Sequence, residues 1–462
     1  MAAERVGRKL PLIFLAASVF IGLLSIAVNP PLRGPDEPAH FMRAYAIAQG
    51  EVVPTTRDAR GHRGLFLPAP LNAQFRYFND MRESLPAPGA GYAQVFRRYF
   101  DHTALVAESA PTLVPYEGSE GYTPLPYLPY AAAAFFANAV GLEFLGHLYL
   151  MRIAGLLAAA LVTAYAIALT PRLKWMFFCA ATLPTALYQR AVISVDGAVL
   201  ATSLLVIALC LRSIERPAAG TRQRAFWMTV TSLSKPSQVA FVLLEAMRLP
   251  CREWKTQWPI ALLVMAPGVI LALTWTLLAS PDVGAWRISE GSGLPAQEFD
   301  PLWKLQFLLQ HPLLFLRAAL TSLDYSVELW RQAIGVFGWL DVRMRSWTYL
   351  LISLLLALTF FAKIDGDHPS RLRVAGVAGT TILAYYLLVC LLFFLAFTPS
   401  DADRIYGLQG RYFIVLIPLF ALIASAMVNR GFGRIAELAA SASAIISAAA
   451  MLEALWRVHW SP

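Results

Sequence analysis

The chain has 462 residues, 58% hydrophobic and 15% charged, with a mean hydropathy of +0.55. That balance excludes an ordinary soluble globule and belongs to an integral membrane protein, so length alone does not call for several soluble domains. The formal charge of +9 does not point to nucleic acid, because Lys and Arg sit mostly in short clusters between apolar runs, where they act as orientation signals.

The first apolar run, Leu10 to Val28, follows Arg5, Arg8 and Lys9. It is long for a signal sequence, and Asn29-Pro30-Pro31 offers no small-x-small cleavage site, so an uncleaved span with its N-terminus inside is expected. The next stretch, polar and rich in prolines and aromatics to about Gly121, reads as a large first external loop, extended to residue 146 by an interfacial segment. Within it, Ala39 to Gly50 is a predicted helix punctuated by Pro38 and Gly50. Gly121 to Leu142 is uncharged and long enough to span, but it opens with Tyr122, Tyr127, Tyr130 and three prolines. Laying it along the outer interface puts the clusters Arg172/Lys174, Arg212/Arg216/Arg222/Arg224, Arg248/Arg252/Lys255, Lys363/Arg371/Arg373 and Arg430/Arg434 inside, satisfying the positive-inside rule.

The spans then run His147 to Leu169 inward, Trp175 to Ile193 outward and Gly197 to Leu211 inward, followed by a broken pair over Ala225 to Met247 and Trp258 to Ala279 outward. Residues 280–345 form a second external segment, with a helical stretch over Pro301 to Leu323. Its six Lys or Arg residues do not upset the topology, since the charge rule weakens in long loops. Ser346 to Ala362, Val374 to Phe397, Tyr412 to Val428 and Ala436 to Trp456 complete the chain. The expectation is an all-α polytopic membrane protein, one membrane-embedded domain of about eleven spans, with its C-terminus outside. No internal repeat is apparent, which argues against a transporter built from duplicated halves.

Three charged constellations map to the outer face of this topology. Asp36-Glu37 lies between Pro35 and Pro38 at the start of the first loop, where a carboxylate could accept a hydroxyl proton or hold a cation. Asp196, in Ser194-Val195-Asp196-Gly197, is either a functional carboxylate or the N-cap of the span that follows. The turn from Pro399 to Phe413, with Arg404 and Gly407-Leu408-Gln409-Gly410-Arg411-Tyr412-Phe413, offers a guanidinium beside glycines that admit close backbone approach, a fit to phosphate, although Arg-Tyr-Phe alone would serve as an interfacial anchor. Lys235 adds a fourth charge, at the break Ser234-Lys235-Pro236. A lysine at membrane depth costs about 2.5 to 3.5 kcal/mol, so a lipid-headgroup phosphate is its expected partner, with snorkelling as the alternative. His40, His62 and His102 show no ligand spacing and read as surface histidines. The four cysteines, Cys179, Cys210, Cys251 and Cys390, show no paired metal-ligand spacing either. No P-loop, dinucleotide fingerprint, His-Glu-x-x-His or nucleophile elbow is present.

Pro35-Asp36-Glu37-Pro38-Ala39-His40-Phe41, Lys235-Pro236 and Gly407-Leu408-Gln409-Gly410-Arg411-Tyr412-Phe413 together resemble the bacterial membrane proteins called domain of unknown function 2142. That family resembles the glycosyltransferase C-type superfamily of protein O-mannosyltransferases, aminoarabinose transferases and oligosaccharyltransferases. One departure stands at Asp196, where the family pattern has an accompanying Asn and this chain has Ser194 and Val195. The resemblance implies a first external loop with interfacial helices, a catalytic Asp at its start and a polyprenyl-phosphate sugar donor. A donor on a lipid also follows from location, because nucleotide sugars are not expected outside the cytoplasmic membrane.

The expected activity is therefore sugar transfer, with inversion, to a glycan or lipid hydroxyl on the outer face of a bacterial inner membrane. Asp36 is the expected base. Glu37 would hold the acceptor or a divalent cation such as Mg or Mn, the one open cofactor question. Arg411, Lys235 and Arg404 would bind the donor phosphate, while His40, Asp196, Tyr122, Tyr127, Gln409 and Tyr412 would contact substrate. The alternatives are a transporter or flippase of lipid-linked glycans, or a polymerase or ligase. Membrane lipids and the two substrates are the expected partners.

Overall fold

The computed structural model describes residues 2–59, 61–84, 91–101, 112–215, 220–249, 254–279, 293–361, 368–428 and 433–461. The chain is mostly helical, and its only sheet among the described residues is two short antiparallel hairpins. Seven helical segments are long and apolar enough to cross a membrane: Lys9–Val28, Phe144–Leu169, Val195–Ile214, Gln257–Ala279, Ser370–Phe397, Gly410–Met427 and Gly433–His459. Ser346–Thr359 is apolar but shorter.

Several expected spans take another form. Trp175 to Ile193 is not one helix but two, α7 (Lys174–Ala181) and α8 (Pro184–Arg190), both buried inside the bundle. Pro184 explains the break, since it lacks an N–H and clashes with the carbonyl a turn earlier. The broken pair is α10 (Thr221–Ser234) followed by a long 3₁₀ segment (Pro236–Arg248), joined at Lys235 in extended conformation. The expected helix over Pro301 to Leu323 divides at His311 into Pro301–Gln310 and Pro312–Thr321, because the residue before a proline leaves the α region. The Arg216, Arg252, Lys363 and Arg430 positions and Cys251 lie outside the described residues, as does His102.

The segment expected to lie along the interface is a 3₁₀ turn (Leu125–Tyr127) followed by α5 (Leu128–Ala139). Twelve residues rise only about 18 Å as a helix, too short to cross a bilayer core. Its uncharged sequence is instead used for packing on α6 (Phe144–Leu169).

The first loop is more than irregular chain. Its α2 (Glu37–Ala48), α3 (Ala69–Ser84), α4 (Tyr92–Phe100) and the hairpin β1 (Gly64–Leu67) with β2 (Thr112–Pro115) build a separate aromatic core. Phe41, Phe75, Phe78 and Phe144 pack there in stacked and edge-to-face pairs, with ring centroids 5.3 to 5.9 Å apart, near the preferred aromatic separation. Because Phe144 starts α6, this core fastens the loop to the membrane bundle. The long helix α1 (Ala2–Val28) packs on α6 and on the C-terminal helix Gly433–His459.

Candidate functional site

Asp36 stands immediately before α2 with φ +54°, in the left-handed region. Asp tolerates that conformation better than most residues, but it still stores strain, of the kind found at functional sites. Its side chain does not cap α2. The carboxylate turns away to Arg411, whose Nη2 donates to Asp36 Oδ2 at 2.5 Å. Arg411 Nε also lies 3.4 Å from Asp196 Oδ2, and Lys235 Nζ donates to Asp196 Oδ1 at 3.0 Å. Asp36, Arg411, Asp196 and Lys235 thus form one chain of alternating charge assembled from four distant segments.

Aromatic rings wall this chain. Lys235 Nζ sits 4.0 Å from the centre of the Tyr412 ring, within cation–π range. His40, in the first turn of α2 four residues after Asp36, places Nδ1 2.7 Å from the Tyr127 hydroxyl and its ring 5.8 Å from that of Tyr122. Thr123 donates to the Leu233 carbonyl at 2.6 Å, pinning the Tyr122–Tyr127 stretch against the end of α10 beside Lys235. Asp36, with its side chain 46% exposed, is where the cluster meets the surface; Asp196, Lys235 and Arg411 lie almost wholly beneath it. Arg411 Nη1 is buried with no hydrogen-bond partner among the described residues, so one face of its guanidinium fork is unused.

Local sequence explains each placement. Helix α9 (Val195–Glu215) starts one residue before Asp196, and Ser194 Oγ accepts from the Asp196 amide at 3.1 Å. Ser194 therefore does the capping, which frees the Asp196 carboxylate for the two cations. Gly410 is required by contact: a Cβ there would lie 1.9 Å from the Leu329 carbonyl oxygen and 2.5 Å from the Ala333 amide. Its N–H donates to Gln332 Oε1 at 2.8 Å, so the Ser326–Gly335 helix holds the backbone from which Arg411 projects. Below Lys235, the Tyr385 hydroxyl donates to the Tyr412 carbonyl at 2.8 Å, and Gln238 reaches that hydroxyl at 3.3 Å and Ser203 at 2.9 Å. This buried polar chain carried no motif in the sequence.

The remaining candidates fall elsewhere. Glu37 faces away from Asp36 and is fully buried against Arg152, with Nε to Oε1 at 2.8 Å and Nη2 to Oε2 at 2.7 Å. Its oxygens also accept from the Gly34 amide at 2.9 Å and the Ile193 amide at 3.0 Å. With four donors on two oxygens it has no capacity left for an acceptor or a cation. Arg404 is partly exposed and pairs with Asp403 at 2.9 Å and with Tyr325, not with the cluster. Gln409 only leads into the 3₁₀ turn Gly410–Leu416, without capping it through its side chain. His40 is buried rather than a surface histidine, while His62 pairs with Asp58 at 3.1 Å. Among the described residues, no group of three or more His, Cys, Asp or Glu side chains could hold a metal ion.

Two groups of the loop show what this environment does to protons. Burial raises the Asp36 pKa, but Arg411 and, less strongly, His40 outweigh it and hold the carboxyl below the usual range. Burial also pushes His40 down from 6.5 to about 4, with Asp36 and Asp196 offsetting only part. Between those values the unfolded chain binds a proton that the folded chain does not, so stability falls as pH drops from about 6.5 to about 4, by on the order of 3 kcal/mol. Thermal melts in detergent across that window should show the decline in the native protein and a flatter profile in His40→Gln. Equal slopes would remove the assignment.

A family model described as "Predicted membrane protein (DUF2142)" matches residues 19–420. Comparison with curated proteins and with solved structures gives no match.

Proposed function

We propose that this chain, which belongs to the DUF2142 family of predicted membrane proteins, is a membrane glycosyltransferase that moves a sugar from a polyprenyl-phosphate donor to an acceptor hydroxyl. The orientation is N-terminus inside and cluster outside, on a glycosyltransferase C-type arrangement of about eleven membrane passages in a bacterial inner membrane. The observation that carries this reading is the Asp36–Arg411–Asp196–Lys235 chain, which joins a surface carboxylate to two cations held by rigid elements.

In the reaction, the acceptor oxygen attacks the anomeric carbon and the carbon–oxygen bond to phosphate breaks, its electron pair leaving with the polyprenyl phosphate. The acceptor proton passes to Asp36. A single displacement inverts the anomeric centre. Arg411, with Nη1 unengaged, and Lys235 stabilise the charge that develops on the leaving phosphate. While Arg411 holds Asp36, that carboxylate is a poor base; when phosphate draws the guanidinium away, loss of the adjacent positive charge raises its proton affinity. Donor binding thus switches the base on. Asp196 keeps the two cations in register, and Tyr122, Tyr127 and Tyr412 contact the sugar and the first isoprene units. His40, neutral at pH 7, orients the acceptor.

The test is sugar transfer in vesicles containing the purified protein and a panel of polyprenyl-phosphate-linked sugars, with glycan and lipid acceptors. Transfer from a lipid-linked sugar and none from the matching nucleotide sugar is the expected result. Label crossing the bilayer without a new glycosidic bond would identify a flippase instead, and absence of both transfer and polyprenyl-phosphate binding would overturn the assignment.

A further inference from the structure

Away from the charged cluster, an open groove of about 490 Å³ runs between the ends of α1 and the helix Gly433–His459. Its walls are Leu24 and Val28 on one side and Leu452 and Trp456 on the other, with Arg345, Glu453 and Arg457 at its rim. This volume lies within the usual range of about 300–1,000 Å³ for small-molecule sites. Both helices are long and apolar enough to span, and only 28% of the first and 33% of the second is buried inside the protein. In a membrane the medium filling such a groove is lipid.

The depth of the groove is marked by its own residues. Val28 ends α1, and the Trp460 indole donates to its carbonyl at 2.6 Å. A tryptophan satisfied at a helix end is the usual sign of the polar boundary of a bilayer. Leu24 lies one turn deeper, and the Trp456 ring is largely exposed over the same wall. An acyl chain would therefore run along Leu24 and Leu452, with its head at the level of Val28.

The rim has a definite charge. Arg345 Nη2 and Arg457 Nε both donate to the same Glu453 oxygen, at 3.0 and 3.1 Å. Arg457 Nη2 is fixed further by the Arg343 carbonyl at 2.8 Å. Two guanidiniums on one carboxylate leave a surplus of one positive charge beside an apolar slot. We propose that this groove binds an anionic glycerophospholipid, phosphodiester at Arg345 and Arg457 and one acyl chain between the two helices. The surplus matches a phosphodiester carrying one negative charge. A phosphomonoester of about −1.5 to −2 charge at neutral pH exceeds it, and a zwitterionic head brings an ammonium group that Arg345 and Arg457 would repel.

The site is independent of the sugar-transfer reading, and so is its test. The purified full-length protein is given equimolar phosphatidylglycerol and phosphatidylcholine, and retained lipid is counted by native mass spectrometry. The native protein should keep phosphatidylglycerol several-fold better. Arg345→Gln, at an exposed side chain, should bring the two lipids towards parity, and Leu452→Trp, which fills the slot, should lower retention of both. Excess inorganic phosphate should displace neither, since the chain supplies much of the binding. Equal retention in the native protein, unchanged phosphatidylglycerol in both variants, or displacement by inorganic phosphate would each overturn the proposal.

Discussion

Asp36→Asn should lower sugar transfer by about 10²–10⁴-fold, the usual contribution of a positioned base, while leaving expression and melting close to native. The second half of that expectation comes from exposure. Asp36 is half open to the surface, and Arg411 retains Asp196 at 3.4 Å when the Asp36 charge is removed, so no cation is stranded in the interior. Asn keeps the size of Asp and likewise tolerates the left-handed backbone at this position. Donor binding should survive or tighten, because Arg411 no longer has to leave a carboxylate to meet phosphate. A variant that binds polyprenyl phosphate yet fails to transfer would separate the base from the phosphate site. Normal transfer by Asp36→Asn would remove Asp36 from the mechanism.

Much of this arrangement was legible in the chain because it depends on local chemistry. Continuous apolar length marked the segments that form the long helices, and Pro38 and Gly50 located α2, which starts and ends two residues earlier than the expected Ala39 to Gly50. The motifs around Asp36 and Arg411 could be singled out because proline and glycine beside charge have few uses. Their meeting at 2.5 Å across 375 positions could be expected only through topology. What escaped was of a different kind. An apolar count does not see that Pro184 divides Trp175 to Ile193 into two short buried helices. Exposure of His40 could not be judged from a polar loop, since its burial depends on Tyr122 and Tyr127 folding back more than eighty positions later. Arg404 and Arg411 looked alike in one turn; the packing of Gly410 on the Ser326–Gly335 helix decides which of them points to the cluster. The pairing of Glu37 was invisible for the same reason, because its partner lies 115 positions away in α6.

Glu37→Gln should prove far more damaging to the fold than Asp36→Asn, although the two residues are adjacent and both acidic. Arg152 is fully buried and spends Nε and Nη2 on Glu37, while Nη1 and Nη2 also reach the Asn29 carbonyl at 2.8 Å and the Pro30 carbonyl at 2.9 Å. Glu37 in turn holds the Gly34 and Ile193 amides. One ion pair therefore joins the end of α1, the loop that carries Asp36, helix α6 and the turn that precedes Asp196. Gln is nearly the same shape, but its NH₂ group would face donors and leave Arg152 as an uncompensated buried charge, at a cost of about 3–5 kcal/mol. Denaturant unfolding in mixed micelles should show that loss in Glu37→Gln and little change in Asp36→Asn. Glu37→Gln combined with Arg152→Met should recover part of the stability, because no buried charge remains. Transfer should stay low even in the rescued double variant, since the loops carrying Asp36 and Asp196 would no longer be tied to one another. Equal stability of the two single variants would mean that Glu37 is not the tie between those loops.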